Sequence, residues 1–81
     1  MKKVTIYSTP TCHYCGMAKE FFKAHNVPYE DVNVATNMEK RTEMIEKSGQ
    51  MGVPVIDIGG DIVVGYDQET IAQLLDIKAT A

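Results

Sequence analysis

The sequence has no tryptophan, only two cysteines and three prolines in 81 residues, and no excess of basic side chains. Eight Lys/Arg against eleven Asp/Glu give a formal charge of −3. That balance leaves no electrostatic footprint for nucleic acid or for an anionic membrane surface. No apolar run approaches the ~20 residues that a bilayer span needs. The first residues, Met1-Lys2-Lys3-Val4-Thr5-Ile6, lack the apolar stretch and small-residue cleavage site of a signal peptide, so the expected compartment is the cytoplasm. A secreted domain of this size usually carries several long-range disulfides as staples, and two cysteines do not supply them.

What is present fits an α/β domain. With no room for a second core, residues 1–81 are expected to form one unit, without repeats, linkers or low-complexity runs. Residues 3–8 read as a first strand and Thr9-Pro10-Thr11 breaks it. A helix begins near Cys12 or His13, with Tyr14, Met17, Ala18, Phe21 and Phe22 as its apolar stripe, and stops near His25 before Asn26 and Pro28. Residues 28–34 form a second strand. Thr36 or Asn37 can cap a second helix over residues 38–48, ended by Gly49. This helix is largely polar, and a solvated outer face with a Glu43–Lys47 pair is favoured over a docking surface. Residues 53–58 and 61–64 are strands joined by a Gly59-Gly60 hairpin turn. Asp67 can cap a last helix presenting Ile71, Ala72, Leu74 and Leu75. The order β-α-β-α-β-β-α predicts a four-stranded mixed sheet flanked by three helices.

Cys12 and Cys15 carry the chemistry. A C-x-x-C bridge closes too small a loop to be a good structural staple. The pair sits where the first strand hands over to the first helix, and a helix start offers unpaired N–H groups and a partial positive charge. A thiolate placed there is stabilised, and its pKa falls below the free value of ~8.5. Cys12, at the tip, is the expected nucleophile; Cys15, most of a turn later and facing inward, is placed to resolve a mixed disulfide on Cys12. The bland alternatives are two ordinary thiols or half a zinc site. Zinc wants four ligands. Only His13 and His25 remain, the first wedged between the cysteines and the second ~15 Å away along the helix, so no metal is expected. Met17, Met38, Met44 and Met51 read as core fillers, with Met51 an alternative member of an exposed apolar rim. His25 is expected to have no catalytic duty.

Tyr7-Ser8-Thr9-Pro10-Thr11-Cys12-His13-Tyr14-Cys15 resembles the active-site segment of the glutaredoxins, whose usual motif is C-P-Y-C. Ser48-Gly49-Gln50-Met51-Gly52-Val53-Pro54 resembles the segment before their cis-proline, commonly G-Q-x-T-V-P. Val64-Gly65-Tyr66-Asp67 resembles the glycine-containing segment, often G-G-C-D-D, that opens the last helix. The resemblance spans nearly the whole chain. It implies the thioredoxin fold and a thiol–disulfide oxidoreductase, a glutaredoxin-like electron carrier that acts on protein or glutathione mixed disulfides. It also implies roles by position. Pro54 would be the cis-proline facing the cysteines, and the backbone of Val53 would pair with an extended thiol substrate. Tyr14 would flank the nucleophile, Gly65 would let a ligand approach the backbone, and Tyr66 and Asp67 would meet the amino end of glutathione. Asp67 reads equally as a plain helix N-cap.

The departures from the pattern bear on the reductant. Thr9 and Met51 stand where the family commonly has basic residues, Gln68 replaces a second aspartate, and Gly52 replaces a threonine. Several charged contacts to glutathione are thereby lost. Glutathione remains a candidate co-substrate with no cofactor bound. The alternative is the similar NrdH-type redoxin, which takes electrons from a thioredoxin-reductase-type flavoprotein and feeds ribonucleotide reductase; a peroxidase is another client of that general kind. His13 stands where proline is usual and is expected to tune the potential by favouring the Cys12 thiolate. Two further classes are weighed: a module bridging a [2Fe–2S] cluster through Cys12, and a binding domain whose cysteines are incidental. A monomer suffices for the exchange reading.

Overall fold

The computed structural model describes residues 3–76. The elements run β1 (Val4–Ser8), α1 (His13–Ala24), β2 (Glu30–Asn33), α2 (Met38–Ser48), β3 (Val55–Ile58), β4 (Asp61–Val64) and α3 (Gln68–Leu75). They form one sheet in the order β2-β1-β3-β4. β1 pairs parallel with β2 and antiparallel with β3, and β3 pairs antiparallel with β4. The sheet is therefore mixed, as the element order predicts, and the architecture is the expected α/β one.

Alternation along the strands sends side chains to two faces. On one face Val4, Ile6, Ile56, Ile58 and Val63 meet Ala18, Phe21 and Phe22 of α1 and Ile71, Ala72 and Leu75 of α3. On the other, Tyr7, Val32, Val34 and Val55 meet Met44 of α2. The helix ends follow their caps. Asn37 accepts a hydrogen bond from the Lys40 N–H at 3.1 Å and opens α2, and Gly49 in the left-handed region closes it. Asn26, also left-handed, closes α1: its N–H donates to Lys23 and the next N–H, of Val27, donates to Phe22. This pairing satisfies the last carbonyls of the helix. Gly59 and Gly60 both have positive φ and join Ile58 to Asp61 in the two-residue turn expected of them.

The structure corrects several sequence expectations. The second and third strands are shorter than residues 28–34 and 53–58. Pro54 has no N–H to give a ladder, and pairing starts at Val55. In α1, Tyr14 and Met17 lie outside the buried stripe, being 59% and 39% exposed, whereas Cys15 is buried among Ala18, Phe21 and Phe22. Of the four methionines read as core fillers only Met44 is one; Met17, Met38 and Met51 are exposed. The face of α2 carrying Glu43 and Lys47 is also not simply solvated. Lys47 Nζ lies 3.8 Å from Glu43 and donates to Asp57 at 3.0 Å and to the hydroxyl of the buried Tyr7 at 3.1 Å. Tyr7 in turn donates to Glu43. Burial and this bond to Glu43 push the Tyr7 phenol up, and the same bond draws the Glu43 carboxyl down.

Candidate active site

Sheet register brings three loops to one end of the molecule. Tyr7 pairs with Val55, so Pro54 lies across from Ser8, where β1 turns towards Cys12. Val64 pairs with Val55 on the other side, and the Gly65 N–H donates to the Pro54 carbonyl at 2.8 Å. The cysteine loop, the Val53-Pro54 segment and the turn into α3 thus share one edge. The bond between Val53 and Pro54 is cis.

The cysteine loop closes with a hydrogen bond from the Cys12 N–H to the Thr9 carbonyl at 3.3 Å. Cys12 then sits as the N-cap of α1 in an extended conformation, and its Sγ accepts from the Cys15 N–H at 3.2 Å. The other two caps are oxygens, of Asn37 and Asp67. In α1 the sulfur itself takes the capping place, and no acidic residue stands in the first turn to compete for the dipole. Cys12 and Cys15 are bonded as a disulfide, with Cα atoms 5.2 Å apart. Their surroundings differ: Cys12 is half-buried, and Cys15 is 1% exposed. His13 is exposed and meets the Tyr14 ring edge-on at 5.7 Å.

The Val53-Pro54 loop is held by Gln50, which the G-Q-x-T-V-P resemblance includes without a role. The Gln50 side chain folds back, accepting from the Gly52 N–H at 2.6 Å and donating to the Gly52 carbonyl at 3.0 Å. Ser48 Oγ fastens the start of the same loop, accepting from the Gln50 N–H and lying within reach of the Met44 and Gln50 carbonyls, 2.7 Å and 2.9 Å away, for its one proton. A Cβ on residue 52 would meet the Gln50 Oε1 at 2.7 Å, so glycine there leaves room for the clamp. Beside it Met51 projects, 61% exposed. Behind the cysteine loop, buried Ser8 donates to Asp31 at 2.7 Å, and Lys19 of α1 pairs with the same carboxylate at 2.8 Å. Burial opposes its ionisation, but the bonds from Lys19 and Ser8 win, and the Asp31 carboxyl lies below its usual range. Nothing local in the sequence marked this triad, whose members are spread over β1, α1 and β2.

On the third loop, Gly65 has φ +81°, and a Cβ there would meet nothing within 4 Å, so its backbone is open to approach. The Tyr66 ring turns towards α1, with its centroid 6.4 Å from that of Phe21, and burial raises its phenol pKa. Asp67 caps α3, accepting from the Thr70 N–H at 3.2 Å and the Thr70 hydroxyl at 2.8 Å. These two bonds lower its carboxyl pKa.

Several of the residues singled out from sequence therefore gather at one end. Thr9 is half-buried and Met51 exposed where basic residues are usual, and Lys19 is engaged by Asp31. No group of three or more metal-ligating side chains gathers among the described residues. No helix among the described residues is long and apolar enough to cross a membrane.

Comparison with known proteins gives a consistent answer. The family model described as glutaredoxin matches residues 4–63. A glutaredoxin-like 8.6 kDa protein from the rubredoxin operon of Clostridium pasteurianum is 48% identical over 73 residues, covering 90% of this chain and 97% of its own. A point mutant of the thioredoxin-like protein BC3987 superposes with TM-score 0.89 at 35% identity, over 96% of this chain and 100% of that one. The glutaredoxin-like NrdH-redoxin of Escherichia coli, described as having a thioredoxin-like activity profile, gives TM-score 0.78 at 25% identity, over 89% and 93%.

Proposed function

This chain belongs to the glutaredoxin family and is a thiol–disulfide oxidoreductase with a redox-active cysteine pair, and on that premise we propose that it reduces protein or glutathione mixed disulfides with Cys12 as nucleophile and Cys15 as resolving thiol. The observation that carries the assignment is the asymmetry of the pair: Cys12 caps α1 with its sulfur at the accessible end, and Cys15 is buried behind it. In the reduced protein the helix N-terminus stabilises the Cys12 thiolate. That thiolate attacks the client disulfide, one client thiolate leaves and takes a proton, and a mixed disulfide remains on Cys12. Cys15 loses its proton and attacks the Cys12 sulfur, releasing the second client thiolate. Two electrons pass to the client, and the protein ends as the Cys12–Cys15 disulfide.

The matched positions receive roles in the same reading. The Val53 backbone lies just beyond the first ladder pair of β3 and pairs with an extended substrate, with Pro54 beside it. Tyr14 forms one exposed flank. Gly65 provides backbone approach, and Tyr66 and Asp67 stand near the amino end of a γ-glutamyl ligand. His13 tunes the potential by favouring the thiolate. Replacing it, His13→Pro, is expected to make the potential more negative in equilibrium with a glutathione redox buffer; an unchanged or raised potential removes this role.

The reductant has two readings, glutathione or a thioredoxin-reductase-type flavoprotein. The lack of cations at Thr9 and Met51 favours the second, since each missing contact to a glutathione carboxylate is worth on the order of 1 kcal/mol. Clients such as ribonucleotide reductase or a peroxidase then follow, in the cytoplasm and with the chain as a monomer. Oxidised protein offered reduced glutathione, or NADPH with a thioredoxin reductase, separates the two. Fast reduction by glutathione through a Cys12 adduct supports the glutathione reading. Slow glutathione and fast flavoprotein reduction supports the NrdH-like one.

A further inference from the structure

The outward side of α1 carries a groove that the exchange steps do not use. It lies between the helix and the turn entering α3, holds about 310 Å³, and is walled by Met17, Glu20, Phe21, Ala24 and His25 on one side and Tyr66 on the other. His13, Met17, Glu20 and Ala24 recur at helical spacing, so the groove starts one turn from the cysteine pair and follows α1 to its C-cap at His25. From Met17 to His25 the helix rises about 12 Å, the span of roughly four extended residues. The opposite wall is tied to the same site, because Gly65, next to Tyr66, donates to the Pro54 carbonyl.

Floor and rim differ in chemistry. The Phe21 ring lies tilted against His25, centroids 4.4 Å apart, and meets Tyr66 edge-on, and Met17 is partly open to solvent. On the rim, Glu20 is exposed and forms no ion pair among the described residues. Lys19, its neighbour in sequence, is held by Asp31, and Lys23, one turn on, does not bridge to it. Asp67 and Glu69 add negative charge at the entry to α3.

We propose that this groove is a docking subsite for the polypeptide flanking a client disulfide, and that it selects an extended stretch bearing an apolar side chain followed by lysine or arginine. The apolar side chain fills the space between Met17 and Phe21. The basic residue lays its aliphatic stem along Ala24 and brings its charge to Glu20. The same preference explains a site without cations at Thr9 and Met51: it is built for a client segment of opposite charge, not for a ligand bearing carboxylates. The subsite rests on the exchange reading of Cys12 for its client, whereas the groove's preference for an apolar–basic stretch is a binding property that does not need the disulfide.

Two families of synthetic peptides test this, each with one disulfide and flanked on either side by leucine–lysine or by leucine–glutamate. Hydroxyethyl disulfide serves as a substrate too small to reach the groove. The leucine–lysine peptides are expected to show KM about fivefold lower than the leucine–glutamate ones, with kcat alike, as one partly exposed charge pair would give. Glu20→Lys is expected to invert the preference, and Ala24→Arg to raise KM for both. Reduction of hydroxyethyl disulfide should stay unchanged in both variants. The same peptides with alanine in place of cysteine, followed by fluorescence anisotropy, measure docking without exchange. Equal Kd for the two peptides, or a preference that survives Glu20→Lys, overturns the subsite. A protein that leaves hydroxyethyl disulfide oxidised while keeping the Kd difference overturns the exchange reading and leaves the subsite standing.

Discussion

The two faces of the sheet are held by different physics. Beneath α1 and α3 the contact is apolar: twelve of the described residues are buried there, led by Phe22, Ile6, Ile56, Ile58 and Ile71. Beneath α2 the buried cluster has five of the described residues, and one of them, Tyr7, carries a phenol that needs partners. Glu43, Lys47 and Asp57 supply the rest of the fastening, as a chain of charge-assisted hydrogen bonds from helix to sheet. The cysteine helix is therefore seated mainly by shape, with the single Lys19–Asp31 pair beside it, and the opposite helix more by charge. An apolar seat suits a helix whose N-terminus must present one sulfur and bury another.

Truncation in the apolar face should produce the largest effect. Phe22→Ala is expected to cost about 4 kcal/mol, a large share of the ~5–15 kcal/mol by which a domain is stable. Met44→Ala, in the smaller cluster, should cost less, about 2 kcal/mol. Urea denaturation measures both, and equal losses would erase the distinction between the faces. The charge network should give a smaller and pH-dependent effect. Lys47 holds its proton more tightly than a free lysine because Asp57 and then Tyr7 accept from it, and Tyr7 is raised by burial and by Glu43. Raised groups contribute below their unfolded values near ~10 and lose that contribution as pH climbs further. Glu43 is lowered by Tyr7, so its contribution is present above ~4 and fades as pH falls. Melting temperature should therefore be flat between those limits and fall outside them. Lys47→Met should lower the plateau by about 1 kcal/mol, given that its side chain is 39% exposed, and remove its own share of the alkaline limb, leaving that of Tyr7. An unchanged plateau in the variant would show that the network does not fasten α2.

The sequence was informative where the signal is local. The order of elements, the Asn37 and Asp67 caps, the Gly49 stop and the Gly59-Gly60 turn all follow from residues within a few positions of one another, and all are found. So is the cysteine pair at the head of α1. The errors lie where tertiary structure chooses between locally equal options. A helix with apolar residues at Tyr14, Met17, Ala18, Phe21 and Phe22 can bury more than one stripe; packing on the sheet took Cys15 with Ala18, Phe21 and Phe22 and left Tyr14 and Met17 outside. A charged face on α2 looks solvated until β1 is known to place a tyrosine beneath it. The role of Gln50 was invisible because it is a side-chain bond to the backbone within an irregular loop. The Ser8, Asp31 and Lys19 contacts join three elements that only the fold brings together.

The central claim is the division of labour between Cys12 and Cys15. It is tested most directly by incubating reduced Cys12→Ser and Cys15→Ser proteins with a disulfide-bonded client and weighing the products under denaturing, non-reducing conditions. The account predicts a stable mixed disulfide on Cys12 in the Cys15→Ser protein, with the client left unreduced on that sulfur, and no adduct in the Cys12→Ser protein. An adduct on Cys15 in the Cys12→Ser protein, forming as fast as the other, would contradict it.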